Sequence, residues 1–299
     1  MDLRDLVYFE TIAELGHLGK AAQKLNRSQP ALTKSIQRLE ASLGTRLFQR
    51  DGRRIRLTPV GELLLERGRA LRRSIDETQR EVRDFASGAV GNIRLGCAAT
   101  MAEHLLPELT SALLQRAPHV TLKLVIAQDD QLRESLRGGQ LDMIISPLGS
   151  DGDEFDSHWV LTDEAVVIAS HNHPIFDGPP SMAELCRYGW VLPPRATSSR
   201  QWVDAAFAAH GLPAPRVQIE ANSISLLPRL IASSSLLSFI ARETLEFGRN
   251  VYLREVPLAE TTMQRRIGVM LRRGGYLSPA AQAMVELLRD DGGRFLRAH

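Results

Sequence analysis

The stretch SQPALTKSIQRLEASL, residues 28–43, decides how the first part of the chain folds. Ser28 can cap a helix with its hydroxyl group, and Pro30 falls in the first turn, where a missing N–H costs little. Gly44 follows as a C-terminal stop. The stretch predicts an amphipathic helix, because its apolar side chains recur at spacings of 4, 3 and 4 residues: Leu32, Ile36, Leu39 and Leu43.

A shorter helical run over residues 18–25 precedes this helix, and Asn26-Arg27 separates the two. Two short helices joined by a tight turn describe a helix-turn-helix, whose second helix enters the major groove of DNA. An ordinary helical hairpin with a solvated face is the alternative. The second helix presents polar side chains that suit base edges and phosphates, namely Gln29, Thr33, Lys34 and Gln37.

The charge of this region favours the DNA-binding alternative. Residues 18–58 contain ten lysines and arginines and two acids, a net charge of +8, whereas the whole chain carries +2. Such a basic patch suits a polyanion, because neutralised phosphates release their counterions. The sequence RDGRRIRL, residues 50–57, predicts a two-stranded wing that turns at Asp51-Gly52. Arginines at its tip suit a narrow minor groove.

A dense set of positions carries a family signature: Ala21-Ala22, Leu25, residues 28–32, Leu39-Glu40, Leu43-Gly44, Leu47-Phe48, Arg50 and residues 57–61. On these residues the chain resembles the LysR-type transcriptional regulators. Thr33 departs mildly, since the family often has serine there, but the hydroxyl group is kept. The resemblance implies a winged helix-turn-helix DNA-binding domain over residues 1–58.

We expect the polar face of the second helix to read bases in the major groove of double-stranded DNA. Its N-terminal end would lie near a phosphate. The wing arginines would contact DNA, although Arg50 could instead support the packing of the wing. The expected DNA-binding residues are Ser28, Gln29, Pro30, Thr33, Lys34, Gln37, Arg50, Arg53 and Arg54.

Length and composition indicate a multidomain globular protein: the chain has 299 residues, of which 43% are hydrophobic and 24% charged. Apolar runs stay shorter than the roughly 18 residues that a membrane span needs, and the first residues are charged. We therefore expect no membrane contact and a cytoplasmic location. The two cysteines, Cys97 and Cys186, lie in different segments, which argues against a disulfide framework. A redox role for Cys97 is the alternative to a small buried hydrophobe.

A coiled-coil pattern follows the predicted wing. Apolar or small residues recur every 3.5 residues, as in a coiled-coil seam: Leu64, Gly68, Leu71, Ile75, Thr78, Val82 and Phe85. A single helix packed on its own domain is the alternative. The resemblance implies a dimerisation helix, which we place at residues 59–87, and further assembly into a homotetramer as a dimer of dimers. Residues 87–91 form the expected hinge, and net charge changes from +5 over residues 1–90 to −3 over residues 91–299.

The remaining residues alternate strand and helix patterns, which predicts a parallel sheet with helices on both faces. The resemblance implies an α/β effector-binding domain at 91–299 that folds like a periplasmic binding protein. Its subdomain I would comprise residues 91–161 and 268–299, and its subdomain II residues 162–267. Predicted strands cover residues 92–97, 121–127, 141–146, 165–169, 190–192, 216–220, 236–240 and 266–271, with helices at 103–116, 131–137, 199–210 and 279–289.

Ligands of open α/β sheets bind beyond the carboxyl ends of the strands. Thr100 lies at a helix start, where it could hold an anion or act as a plain cap. Asp129 stands where the family often has serine or threonine; it could favour sugar-like ligands over small organic acids, or could cap a helix. The expected effector-binding residues are Ala99, Thr100, Met101, Gln128, Asp129, Ser146, Pro147, Pro194 and Thr197.

Enzyme motifs are missing from the sequence: it has no G-x-S-x-G, no H-E-x-x-H and no phosphate-binding glycine loop. His171 and His173 have a metal-compatible spacing, but we favour a solvated pair because no third ligand is near in sequence. Cys97 with His104 lacks an orienting third group. We therefore expect no enzyme, no metal and no cofactor. The prediction is an effector-responsive transcriptional regulator that reads an inverted repeat as a dimer.

Overall fold

The computed structural model of the chain describes residues 2–51, 54–86, 91–149, 154–221, 226–247 and 252–292. It divides into two compact units, Met1–Arg83 and Asp84–His299. The N-terminal elements are three helices, a hairpin and a long helix: α1 (Leu3–Leu15), α2 (Leu18–Lys24), α3 (Gln29–Leu43), β1 (Phe48–Asp51), β2 (Arg54–Leu57) and α4 (Pro59–Ala86).

Helices α1 to α3 pack around a small apolar core. Phe9, Leu32 and Leu47 are fully buried at its centre, and Phe48 and Leu57 of the hairpin pack against its edge. Since β1 and β2 pair antiparallel, with Phe48 opposite Leu57, the predicted two-stranded wing is confirmed. Of the predicted turn at Asp51-Gly52, Asp51 is the last residue of β1, and Gly52 lies outside the described residues.

The first turns of α4 pack on the same core, whereas the later turns do not. Leu64 packs against that core, and Gly68 is buried where an added Cβ would lie 3.4 Å from Leu6 Cδ2. Further along the predicted seam, Leu71 is 44% exposed, Val82 61% and Phe85 91%. Within the described part of the chain, Leu71, Val82 and Phe85 of the predicted seam are therefore exposed.

The second unit is built on one mixed sheet. Its strands are β3 (Asn92–Ala98), β4 (Thr121–Ala127), β5 (Met143–Pro147), β6 (Phe155–Ser170), β7 (Gly189–Leu192), β8 (Arg216–Glu220), β9 (Leu236–Ala241), β10 (Leu253–Glu255) and β11 (Met263–Arg272). Within the described residues the strand order is β4-β3-β5-β11-β6-β9-β7-β8, and β10 pairs with β6.

Seven α-helices and two short 3₁₀ turns connect these strands in the described part of the unit. The helices are α5 (Ala99–Arg116), α6 (Asp129–Arg137), α7 (Met182–Leu185), α8 (Ser198–Ala209), α9 (Leu227–Ala232), α10 (Glu243–Phe247) and α11 (Pro279–Asp291), and the 3₁₀ turns are Pro174–Phe176 and Ala259–Thr261. One apolar core includes Leu95, Leu105 and Met284, and another includes Val167, Trp190 and Phe207.

The prediction of a wholly parallel sheet was wrong. Strands β3, β4 and β5 are parallel, as are β7, β8 and β9, but β11 is antiparallel to both β5 and β6, and β6 is antiparallel to β9. The sequence indicated only residues 165–169 of β6, because its first half alternates buried and exposed positions and lacks an apolar run. The short β10 was not predicted. Strands β6 and β11 pair over ten positions and join the two halves of the sheet.

Candidate nucleic-acid interface and effector cleft

Helix α3 begins and ends at the residues that its sequence predicts. Ser28 adopts an extended conformation, and its hydroxyl oxygen accepts a hydrogen bond from the Ala31 N–H at 3.4 Å. Gly44 adopts φ +67°, and its N–H donates to the Glu40 carbonyl. Leu32 and Leu39 are buried beneath the helix. The opposite side is consequently free to meet a partner.

The predicted base-reading residues lie together on this outer side. Gln29, Lys34 and Gln37 are exposed, and Thr33 is half-buried. The Thr33 hydroxyl donates to the Gln29 carbonyl at 3.0 Å, which leaves its oxygen able to accept. Ser28 and Pro30 are exposed at the N-terminal end of the same helix. The structure thus brings together all the predicted residues of α3.

A buried carboxylate on α1 fixes the inner side of α3. The Ser35 hydroxyl donates to Asp5 Oδ1 at 2.5 Å, and Arg38 Nε donates to Asp5 Oδ2 at 3.1 Å. The Arg38 guanidinium, assisted by the Ser35 hydroxyl, holds the pKa of Asp5 below its ordinary value, although burial opposes this shift. Sequence patterns did not identify this contact, because the partners are about thirty residues apart.

The predicted wing arginines can be placed only in part. Arg50 and Arg54 lie in β1 and β2, and Arg50 pairs with Ile55. Their side chains, and Arg53 entirely, lie outside the described residues. The wing is tied to the helices because the Ile55 N–H donates to the Gly16 carbonyl at 3.2 Å. Both predicted roles of Arg50 therefore stay open.

A groove of about 760 Å³ separates α3 from the wing. The described residues that line it come from α1, the start of α2 and the turn before it, α3, the segment between α3 and β1, the two wing strands and the residue after β2: Ile12, His17, Leu18, Gly19, Gln29, Thr33, Ile36, Gln37, Glu40, Arg46, Phe48, Gln49, Ile55 and Thr58.

In the second unit, a smaller cavity of about 210 Å³ lies between the two halves of the sheet. It is lined by Ala98, Ala99, Ala127, Gln128, Asp129, Asp130, Arg133, Pro147, Ala196, Thr197, Ser198, Ser199, Gln201 and Arg265. Five predicted effector-binding residues are among them, namely Ala99, Gln128, Asp129, Pro147 and Thr197. The starts of α5, α6 and α8 meet at this cavity.

Three predicted effector-binding residues, Met101, Ser146 and Pro194, are not among the described residues that line the cavity. Met101 is 1% exposed and packs in the apolar core, because α5 begins directly after β3 and turns this side chain inward. Ser146 is fully buried. Pro194 lies beside the cavity, and its carbonyl accepts from the Thr197 hydroxyl at 2.8 Å. The Thr100 side chain is outside the described residues, and the N-cap of α5 is Ala98 instead.

The Asp129 carboxylate forms an ion pair with Arg133, a residue that was not among the predicted site residues. Arg133 Nε donates to Asp129 Oδ2 at 2.8 Å, and Arg133 Nη2 donates to the Pro147 carbonyl at 2.9 Å. Asp129 is the first residue of α6, and its side chain does not cap the helix. In the sequence, the four-residue spacing between Asp129 and Arg133 was the signal that could have predicted this ion pair. The charge of Asp129 is therefore partly balanced within the cavity.

Arg265, a second unpredicted lining residue, is paired with Asp163 across β11 and β6. Arg265 Nε donates to Asp163 Oδ1 at 2.9 Å, and both side chains are buried. The two residues are about one hundred positions apart in sequence, so only the strand pairing brings them together. The pair lies where the two halves of the sheet meet.

Two further residues considered from sequence are buried. Cys97 is fully buried, and burial raises the pKa of its thiol to about 12. His173 was expected to be solvated, and this was wrong: its Nδ1 accepts from the Ile175 N–H at 3.1 Å, and its Nε2 lies 3.2 Å from the Ser235 carbonyl. Burial lowers the pKa of His173 below its ordinary value, and both ring nitrogens lie against backbone groups, which is a structural role.

The described residues contain no group of three or more potential metal ligands. In the same part of the chain, no helix combines the length and apolar character needed to cross a bilayer.

Comparison with known proteins identifies both parts of the chain. A family model described as bacterial regulatory helix-turn-helix protein, lysR family, matches residues 3–62, and a LysR substrate binding domain model matches residues 86–293. The HTH-type transcriptional regulator GbpR of Azospirillum brasilense is 28% identical over 294 residues, which cover 97% of this chain and 86% of that protein. An SDS degradation transcriptional activation protein of a Pseudomonas species is 29% identical, over 98% of this chain and 97% of the relative.

The fold is also found among solved structures. Full-length CbnR in complex with its target DNA has a TM-score of 0.65 to this chain at 23% identity, and the match covers 97% of this chain and 99% of that one. Because the two family models together account for the helix-turn-helix and the α/β unit, the chain belongs to the LysR family of bacterial transcriptional regulators, non-enzymatic proteins with a DNA-binding and an effector-binding domain.

Proposed function

We propose that two copies of the chain pair through α4 and present two α3 helices to an inverted repeat in double-stranded DNA. A small molecule in the cleft would modulate this binding. The proposed organisation is a DNA-binding domain at residues 1–58, a dimerisation helix at 59–87 and an effector domain at 91–299. Within the last, subdomain I comprises residues 91–161 and 268–299, and subdomain II residues 162–267. The regulator would act in the cytoplasm.

The observation that carries the DNA-binding role is the free polar side of α3. Gln29, Lys34 and Gln37 are exposed, and within the described residues their side chains have no internal hydrogen-bond or ion-pair partner. Gln29 can read adenine with two hydrogen bonds, and Lys34 can hold a phosphate or guanine. Arg53 and Arg54 of the wing would enter the adjacent minor groove, with Arg50 as a further contact or a support.

Replacing Gln29 tests direct base reading. Gln29→Ala should weaken binding to the specific site by about 1–3 kcal/mol per half-site and leave binding to random duplex DNA unchanged. Gln282→Ala, which removes an exposed glutamine from α11, is the matched control and should behave as wild type. Equal losses on specific and random DNA would remove Gln29 from the reading role.

Dimerisation is proposed because the second half of α4 exposes apolar seam residues that a partner helix would cover. Leu71, Val82 and Phe85 are the clearest of these. A dimer with two-fold symmetry matches an inverted repeat, because each half-site meets the same recognition helix. Further association into a dimer of dimers would give the proposed homotetramer.

The cleft is the proposed effector site because it combines a cavity of about 210 Å³ with polar side chains from both halves of the sheet. Gln128 and Asp129 contribute from one half and Thr197 from the other. A ligand that binds both halves shifts the balance between their arrangements only by its difference in affinity for them. Ala99 and Pro147 would supply apolar contact, and Thr100 stays a proposed contact. Met101 and Ser146 are buried and would not touch the ligand, and Pro194 would act by holding Thr197.

The effector would be a small sugar-like molecule or a small organic acid. The Asp129 carboxylate favours ligands with hydroxyl groups, but its pairing with Arg133 reduces its repulsion of an acid. Thermal unfolding with matched panels of sugars and small organic acids separates these classes. Stabilisation by acids alone, unaltered in Asp129→Asn, would contradict a selective role for Asp129.

A further inference from the structure

The groove between α3 and the wing has a defined place on DNA if α3 occupies the major groove and the wing the neighbouring minor groove. One sugar–phosphate strand divides any major groove from its adjacent minor groove. That strand would therefore pass over the space between α3 and the wing. Gln37 of α3 and Gln49 of β1 lie on opposite sides of this space. This placement of the DNA strand rests on the DNA-binding mode proposed above.

Arg46 lines this groove and belongs to neither α3 nor the wing strands. It belongs to the short segment between α3 and β1, and its side chain is exposed. Within the described residues it has no ion-pair partner. Arg46 is also absent from the predicted DNA-binding set, because it is outside both the recognition helix and the wing tip.

The backbone at Arg46 is held from two sides. The Thr58 hydroxyl donates to the Arg46 carbonyl at 2.8 Å, and the next N–H, of Leu47, donates to Glu40 Oε1 at 2.8 Å. Leu47 is fully buried, which anchors the segment in the core. The position of the Arg46 Cα is consequently fixed, while its guanidinium remains available to a ligand.

The charges of the groove suit a phosphate near Arg46. Glu40 is the one acid among the described lining residues, and its Oε1 already accepts from the backbone N–H groups of Leu47 and Phe48. Among the same described residues Arg46 is the one arginine or lysine; the side chains of Arg50 and Arg54 lie outside them. A guanidinium matches phosphate oxygens with paired hydrogen bonds.

We propose that the groove between α3 and the wing receives the DNA strand that separates the two grooves, and that Arg46 holds a phosphate of that strand. This contact positions the protein on the duplex and carries no sequence information. It differs in kind from the proposed role of Gln29, so the two can be separated by experiment.

The test measures binding of full-length protein to a specific duplex and to a random duplex over a salt series. Arg46→Ala should weaken binding to both by the same factor, about tenfold per half-site at 0.1 M salt. The slope of log K against log salt should fall by about 0.9 per half-site occupied, because one phosphate contact is lost from each. Arg46→Lys should retain the wild-type slope.

Arg187→Ala is the control for net charge, since Arg187 is an exposed arginine of the second unit with a side chain 71% exposed. It should leave the slope unchanged. An unchanged slope for Arg46→Ala, or a loss confined to the specific duplex, would overturn the proposal. If Arg46→Ala fails to fold, Arg46→Gln gives the same measurement. Failure of wild type to prefer any specific duplex would instead contradict the proposed function.

Discussion

Asp163 and Arg265 face each other across strands β6 and β11 and form an ion pair whose side chains are 0% and 5% exposed. Arg265 Nε donates to Asp163 Oδ1 at 2.9 Å, and Nη2 donates to Oδ2. A buried charge without its partner is costly, because the low-dielectric interior cannot solvate it. Removing either residue of this pair should therefore destabilise the sheet where its two halves join.

Replacing one member should destabilise the second unit strongly. Arg265→Met should lower the free energy of unfolding by about 3–5 kcal/mol, because Asp163 is left buried and unpaired, and adding Asp163→Leu should recover much of the loss. Urea unfolding of the full chain measures both. The exposed pair of Arg187 and Glu184, 3.0 Å apart, is the control, since Arg187→Ala should cost less than about 1 kcal/mol. Similar losses for Arg265→Met and Arg187→Ala would contradict the prediction.

Asp5 should make the DNA-binding unit sensitive to acid. Its pKa in the folded chain lies below the ordinary value of 3.8, so its contribution is present above that value and is lost as pH falls through the folded pKa. At pH 7, Asp5→Asn should lower stability by about 2 kcal/mol, because charged hydrogen bonds to Arg38 and Ser35 are weakened.

Thermal unfolding between pH 3 and pH 7 tests this expectation. The difference between wild type and Asp5→Asn should shrink as pH falls below the ordinary carboxyl pKa. Glu66→Gln, at a side chain 72% exposed, should show no comparable trend. A difference for Asp5→Asn that is constant over the whole pH range would refute the assigned cause.

Cys97 should be unreactive in the folded protein. Burial raises its pKa to about 12, so almost no thiolate forms near neutral pH, and the side chain is inaccessible. In a Cys186→Ser background, a thiol reagent at pH 8 should label nothing until the protein is unfolded and one thiol afterwards. Rapid labelling of the folded protein, or loss of DNA binding after mild peroxide treatment, would support a redox role instead.

Because the seam residues of α4 are exposed, a charge placed among them should weaken the dimer. Leu71→Glu should weaken self-association by at least about a hundredfold, because each partner helix would bury a carboxylate in an apolar seam. Ala70→Glu adds the same charge one residue earlier, at an exposed position off the heptad, and should leave the dimer intact. Sedimentation equilibrium gives both dissociation constants. Identical behaviour of the two variants would mean that the seam is not the dimer contact.

Local signals in the sequence predicted the DNA-binding unit well. Ser28, Pro30 and Gly44 act within a few residues of where they stand, and the apolar spacing of α3 alone defines its buried side. The wing follows from one turn and its flanking strands. The LysR family, the fold class and the absence of an enzymatic function were also predicted correctly, because the signature is concentrated in consecutive residues.

Contacts between residues that are far apart in the sequence could not be predicted from local patterns. The antiparallel β6 and β11 depend on pairing between residues about one hundred positions apart, so the sequence alone indicated a parallel sheet. The cleft is assembled from three helix starts and four strands, which is why Arg133 and Arg265 were missed. Met101 was placed in the cleft because the sequence does not show that α5 starts directly after β3.

Selection of binding sites from a random duplex library tests site-specific regulation most directly. Wild-type protein should enrich an inverted repeat whose half-sites lie about 10–10.5 base pairs apart, or a multiple of this, and bind it far more tightly than random DNA. Affinity for the enriched site should fall steeply with salt. Enrichment of no sequence, with equal and weak binding to every duplex, would contradict a sequence-specific regulator.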